Sequence, residues 1–393
     1  MYPLRSVRSC SPLVVAWLAV ASCRAGGGLD STAEPGSPLP GISRHDSDRF
    51  TAGRALFTHT FTSAEGLGPL FIETRCSNCH DLPTAGGTGA ELVTKATRFA
   101  DGRCDQLAAA GGDNVQKHAT PLLVAAGITR EEIPAGATAV VSIVPPALYG
   151  LGLLEAVPDA AILSRERAAG QDGVAGRAAR TADHRVGRFG RKAEFATLRE
   201  FVEGALLQEV GVTSPHQPQD VRINGRPLPA GTDPLADPEA SQETVDVITD
   251  FVRLLAPPAP ERAVGAARDS IARGKRLFGT VGCASCHVAT LTTADSGTAP
   301  VARRTVDAYT DLLLHDVGPL LASVCSADAA PSVWRTAPLM GIRLRKALLH
   351  DGRALSIDAA VRLHGGESLA ALKAYERLTP EERTLLVRFI NSL

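Results

Sequence analysis

Methionine is almost missing from this chain: apart from Met1, Met340 is the only one. A thioether–metal bond to a methionine therefore has one possible position. Aromatic residues make up only 4% of the 393 residues, which gives little support to a large sheet, whereas the abundant Ala and Gly suit helices joined by turns. An excess of either charge is also missing. The 41 Lys+Arg and 42 Asp+Glu leave a formal net charge of −1, and no long basic run occurs, which argues against nucleic acid as a partner. The N-terminal apolar run "PLVVAWLAVA" is too short to span a bilayer as a mature helix.

That run has a different use. Arg5 and Arg8 precede it, and it ends in "VASC", which resembles the bacterial lipoprotein signal. The resemblance implies removal of residues 1–22, diacylation of Cys23 and a position on the periplasmic side of a membrane. An ordinary secretory signal cut nearby is the alternative, and either one exports the protein. Residues 23–48 are rich in Gly, Pro and Ser, as a flexible tether would be.

The rest divides at a Pro-rich stretch, residues 256–264, into an N-terminal module (49–255) and a C-terminal one (265–393). The halves echo each other. "GRALF" (Gly53–Phe57) precedes "CSNCH" in the first, and "GKRLF" (Gly274–Phe278) precedes "CASCH" in the second. "PALYGLGLL" and "APLMGIRL" then follow in the same order. The expected fold is mainly α, with two cytochrome-c-like helical modules and loop-rich insertions. One insertion, "PHQPQDVRINGRPLPAGTDP", reads as a surface loop or hairpin.

"CSNCH" (Cys76–His80) and "CASCH" (Cys283–His287) carry the chemistry. In a c-type haem site the two thiols of CxxCH add to the haem vinyl groups and the adjacent histidine ligates iron. Cys76, Cys79 and His80 form one such set, and Cys283, Cys286 and His287 the other. A dithiol redox motif needs neither the histidine nor a second copy, and a four-cysteine zinc site would join ligands about 200 residues apart. The expected cofactors are two covalent haems. Of the remaining cysteines Cys10 lies in the leader, while Cys104 and Cys325 either form a disulfide or are two unrelated thiols.

Two helix faces end unexpectedly. Ile357, Ala360, Val361 and His364 share one face, after Ser356 as N-cap and before Gly365-Gly366. His364 is either a partly buried, hydrogen-bonded histidine or a ligand to the second haem's iron, with Met340 as its rival. Phe195, Leu198, Val202, Ala205, Leu206 and Glu209 form the other stripe. A carboxyl at its end is either a buried acid–base group with a raised pKa or a residue already in solvent. Glu200 and Glu203 fall elsewhere on that wheel and read as solvated. His315 and His350 read as structural or as contacts to a haem edge.

With these residues in hand, the chain resembles the bacterial di-haem oxidoreductases, also labelled thiol oxidoreductases, which are distant relatives of di-haem cytochrome c peroxidases. The stretches that carry it are "PPALYGLGLLEAVPD", "GRFGRKA", "YTDLLLHDVGP", "WRTAPL", "LLHDGRALSIDAAVRLHGGE" and the two CxxCH sites. In the peroxidases a methionine ligates the electron-donating haem, and the matching position here is His364. A tryptophan between the haems and a catalytic glutamate match Phe189 and Glu209. Histidine for methionine implies a lower potential, and phenylalanine for tryptophan removes an oxidisable bridge. Relatives also bind calcium between the haems, but no ligand set for it can be read here.

The resulting expectation is an exported peroxide-reducing enzyme. The first haem reacts, Glu209 moves the proton (Glu155 in reserve), and the second haem relays electrons from a small exported donor, a c-type cytochrome or copper protein. The alternative is a di-haem electron carrier without catalysis.

Overall fold

The computed structural model describes residues 33–170, 173–295 and 300–393. Residues 1–32, with the expected signal segment and its Cys10 and the expected lipidation position Cys23, lie outside the described residues. Among those described, no helix is long and apolar enough to cross a membrane.

The helices that frame the two halves are, in chain order, α1 (Arg44–Thr58), α2 (Cys76–Cys79), α3 (Leu198–Ala205), α4 (Gln242–Leu254), α5 (Gly265–Val281), α6 (Ile357–Arg362) and α7 (Pro380–Ile390). Side-chain caps start several of them: Ser43 with Asp46, Thr197 with Glu200 and Thr379 with Glu382 form capping boxes on α1, α3 and α7. The echo seen in the sequence has a packing counterpart. At Gly53 on α1 an added Cβ would lie 2.2 Å from Val247 O and 2.8 Å from Phe251 Cβ on α4. At Gly274 on α5 it would lie 2.1 Å from Leu385 O and 2.6 Å from Phe389 Cβ on α7. Each glycine lets two helix backbones touch. The phenylalanine four residues on then meets its partner ring, Phe57 with Phe251 at 4.9 Å and Phe278 with Phe389 at 5.4 Å. Burying one such ring contributes about 2–3 kcal/mol.

The expectation of a mainly α fold is corrected by the strands. The chain is 33% helical and 15% strand, in several small sheets. The largest runs β3-β2-β4, with β6 also on β2, all antiparallel: β2 (Val93–Ala100), β3 (Arg103–Asp105), β4 (Asn114–Val115) and β6 (Ala139–Ile143). Smaller ladders join β1 (Leu70–Phe71) to β5 (His118–Ala119) and β7 (Leu314–Asp316) to β8 (Val333–Arg335). Scarce aromatics were a poor guide, because "VTKATRFA" and "AVVSI" are rich in β-branched residues that suit a pleat equally well. The polar insertion does turn as a hairpin, with Ile223 bridged to Arg226 across Asn224-Gly225, both at positive φ.

The segment read as a flexible tether and the one read as a linker between the modules are packed. Leu39 is 1% exposed, and its N–H donates to Leu254 O at 2.8 Å, so the tether reading fails from there to α1. Ala256, Pro257 and Pro258, in the Pro-rich stretch, are buried as well. The reason is visible in the core. The main apolar cluster joins Phe57, Phe189 and Phe251 to Leu291, Val306, Leu312 and Met340, so it runs across both halves. A second cluster holds Phe278, Tyr309, Ile357 and Phe389. Cys104 on β3 and Cys325 form a disulfide that spans 221 residues of sequence.

Candidate functional site

Each CxxCH motif opens onto its own cavity. The first cavity, of about 420 Å³, is lined by Cys76, Cys79, His80, Lys95, Glu194 and Glu209 among others. The second, of about 280 Å³, is lined by Cys283, Cys286, His287, Met340, His350 and His364. α2 carries the first pair of thiols; a 3₁₀ turn after Gly282, the αL cap of α5, carries the second.

Three histidines share one arrangement. Nδ1 of His80 lies 3.1 Å from Gly87 O, Nδ1 of His287 2.9 Å from Tyr309 O, and Nδ1 of His364 2.8 Å from Ala360 O. Each bond makes Nδ1 the donor and leaves Nε2 as the lone-pair nitrogen, the tautomer a metal requires. Burial pushes His80 and His287 down to about 4 and lowers His364, so all three are neutral at pH 7. His364 follows α6, whose first turn is capped by Ser356 Oγ at 3.1 Å from Ala359 N. Met340 is 7% exposed and lies against Gly150, where its Cε comes within 3.1 Å of an added Cβ.

Glu209 sits on a π-helical turn, Leu206–Val210, that continues α3. The turn's carbonyl at Glu209 accepts from Ile72 N at 2.7 Å and Glu73 N at 3.1 Å, which pins it beside β1. Its carboxyl has no hydrogen-bond or ion-pair partner among the described residues, and burial pushes it up to about 7. Nearby, Lys95 Nζ pairs with Asp113 at 2.7 Å, and burial raises Glu194 too. Among the described residues that line the first cavity, His80 is the sole imidazole and there is no methionine.

Other expectations change place. Glu203 is not solvated: it is 2% exposed and holds His216 Nδ1 at 2.8 Å. Glu155, the reserve acid, accepts from Leu198 N at 2.8 Å and pairs with Arg253 at 2.8 Å, so it anchors the start of α3 and lines neither cavity. His315 is buried between Asp311 (2.9 Å) and Glu367 (2.8 Å). Burial opposes its charge, but the bond to Asp311 prevails and raises it to about 11. Four carboxylates, of Asp220, Asp233, Asp237 and Glu239, converge in and just after the insertion, but none lines either cavity; among the described residues no other carboxylate cluster of that kind lies between the cavities.

Sequence reading missed Trp334. Its ring lines both cavities, whereas Phe189 lines only the second. The indole stacks on His350 at 4.2 Å, lies under Lys192 Nζ at 3.7 Å and donates to Leu321 O at 2.9 Å. A signal existed: the chain has 2 tryptophans, and the other, Trp17, lies in the N-terminal apolar run.

Residues 138–393 match the family model described as "Di-haem oxidoreductase, putative peroxidase". The chain belongs to this di-haem oxidoreductase family, and haem is the cofactor that membership implies. Among solved structures it is similar to hydrazine synthase of Kuenenia stuttgartiensis, at 13% identity over 98% of this chain and 100% of that one, with a TM-score of 0.44. It is also similar to a variant of a di-haem peroxidase of Burkholderia thailandensis, at 14% identity over 93% of this chain and 89% of that one, with a TM-score of 0.39. Scores that low carry nothing about activity. No curated protein matches the chain.

Proposed function

We propose that this protein is an exported di-haem c-type oxidoreductase that reduces a peroxide at the first cavity, with electrons relayed through the second. Cys76 and Cys79 would hold one haem by thioether bonds with His80 on its iron. Cys283 and Cys286 would hold the other, between His287 and His364. The residues fit the group, since each cavity has two thiols beside a neutral imidazole whose Nδ1 is already committed. The haems would supply iron that accepts electrons from a donor and passes them to the O–O bond.

The observation that carries the reading is the unpartnered Glu209 carboxyl in the same cavity as "CSNCH". With its pKa at about 7, it can take a proton from one peroxide oxygen and return it to the other. Reduction of hydrogen peroxide to two waters consumes two electrons and two protons, so a proton carrier belongs there. Among the described residues, that cavity's wall has one imidazole and no thioether, which supports an open site and weighs against a pure carrier. Trp334 stands where an electron passing between the cavities meets an aromatic ring. Spectra of the as-isolated and half-reduced protein, with and without hydrogen peroxide, test the reading. A first haem that never responds to peroxide sinks it.

Export is supported by "VASC" and by the Cys104–Cys325 disulfide, which persists in oxidising compartments. The electron donor would be a small exported c-type cytochrome or copper protein. With a lipid on Cys23, the mature protein partitions with membranes, and Cys23→Ala releases it or blocks processing. A soluble wild type starting downstream of Cys23 removes the anchor.

A further inference from the structure

Three guanidinium groups share the second cavity, and among the described residues none of them pairs with an acid. Arg191, Arg335 and Arg345 line it, and Arg191 lines the first cavity as well. Their side chains donate only to backbone carbonyls. Arg191 Nη2 reaches Val144 O at 2.5 Å, Arg335 reaches Gly190 O at 3.1 Å and Thr336 O at 3.2 Å, and Arg345 reaches Pro338 O at 3.4 Å. The Nε atoms of Arg191 and Arg345 are buried without a hydrogen-bond partner. The acids near this group are engaged elsewhere: Asp351 with Arg353, Asp311 with His315, and Glu367, which lines the same cavity, with His315. Burial pulls Arg191 down to about 9 and the other two to about 10; repulsion within the group adds to this at Arg191 and Arg335.

Half-buried cations in a cavity wall without counter-charge are costly, and a guanidinium fork matches a carboxylate in shape and charge. So many unmet donors at one cavity point to an anion that belongs there.

We propose that Arg191, Arg335 and Arg345 form a carboxylate cradle, and that the carboxylates it holds are haem propionates. The inference rests on the haem reading above. A group occupying the cavity beside Cys283, Cys286 and His287 brings its own carboxylates within that wall, and Arg191 can serve a propionate from either side. A small soluble carboxylate or phosphate shares the same chemistry and is the competing source.

The test uses the holoprotein, with both haems counted by mass. Arg335→Gln and Arg345→Gln should keep both haems and lower the second haem's reduction potential, since an uncompensated propionate favours the oxidised iron. Arg335→Lys should retain most of the wild-type potential. Unchanged potentials in variants that keep both haems overturn the cradle. So does a wild-type spectrum that titrates with acetate or phosphate in an Arg335-dependent way, which assigns the cradle to a soluble anion. If a variant fails to fold, resonance Raman of the wild type reads the same contact, and propionate bending bands at the solvent-exposed position overturn it. A protein carrying no haem mass sinks the haem reading instead.

Discussion

Glu209 is held with its proton by its surroundings rather than by a partner. Its folded pKa of about 7 lies above the ordinary 4.5, so the folded state binds the proton more tightly than the unfolded chain. Stability from this group is therefore intact below pH 4.5 and declines as pH rises to about 7, by about 3 kcal/mol in all. Glu209→Gln should then melt above the wild type beyond about pH 7, keep both haems, and slow peroxide turnover about 100-fold. The wild-type rate should rise with pH through about 7, as the carboxylate forms, and the variant should lose that inflection. Equal turnover in both would move the proton transfer elsewhere. At the second cavity, His364→Ala should turn one haem from low to high spin and leave the other alone, because two imidazoles make a low-spin site. A spectrum altered by Met340→Ala and untouched by His364→Ala would return His364 to a hydrogen-bonded structural histidine. Both residues were legible as the last position of an apolar stripe. Glu203 was not, because its burial depends on a loop residue, His216, that helical periodicity does not see.

The two helix pairs owe their closeness to single glycines. A methyl at Gly274 meets the carbonyl of Leu385 at 2.1 Å, inside any allowed contact, so α5 and α7 must separate. Gly274→Ala should cost about 2–3 kcal/mol, read as a lower midpoint in urea unfolding. Phe278 lies 6.4 Å from the ring of His287, so the same variant should also disturb the second haem's spectrum and spare the first. A stability equal to wild type would mean that the pair tolerates sliding. The π-helical turn after α3 belongs to the same scale. It is pinned by two N–H groups of the strand segment at Ile72 and Glu73, and it sets where Glu209 points.

Across the whole molecule, one bond ties the β2–β3 corner to the loop that closes the first cavity. Cys325 and its neighbour Val324 line that cavity, and Cys104 is 221 residues away in sequence. Cys104→Ser with Cys325→Ser should lower stability by about 3–5 kcal/mol, as loss of a long closed loop implies. Reductant should shift the wild type's unfolding midpoint to that of the double variant; an unmoved midpoint would show that the bond closes nothing. The main core, shared by Phe57, Leu312 and Met340, makes the halves one packed body around the buried Pro-rich stretch, where composition suggested a linker dividing them.

Sequence by itself determined what is local: two CxxCH motifs, the glycine–phenylalanine echo, the Ser356 cap, and the stripes that end in His364 and Glu209. Such features depend on residues within a few turns of one another, so spacing and side-chain type suffice. Tertiary structure decided the rest. Trp334 lines both cavities, three arginines share one wall without pairing to an acid, Glu155 becomes an anchor for α3, and short strands of Val and Thr pair into sheets. These depend on which distant segments share a wall, and a buried charge or ring takes its role from neighbours that lie far away in the chain.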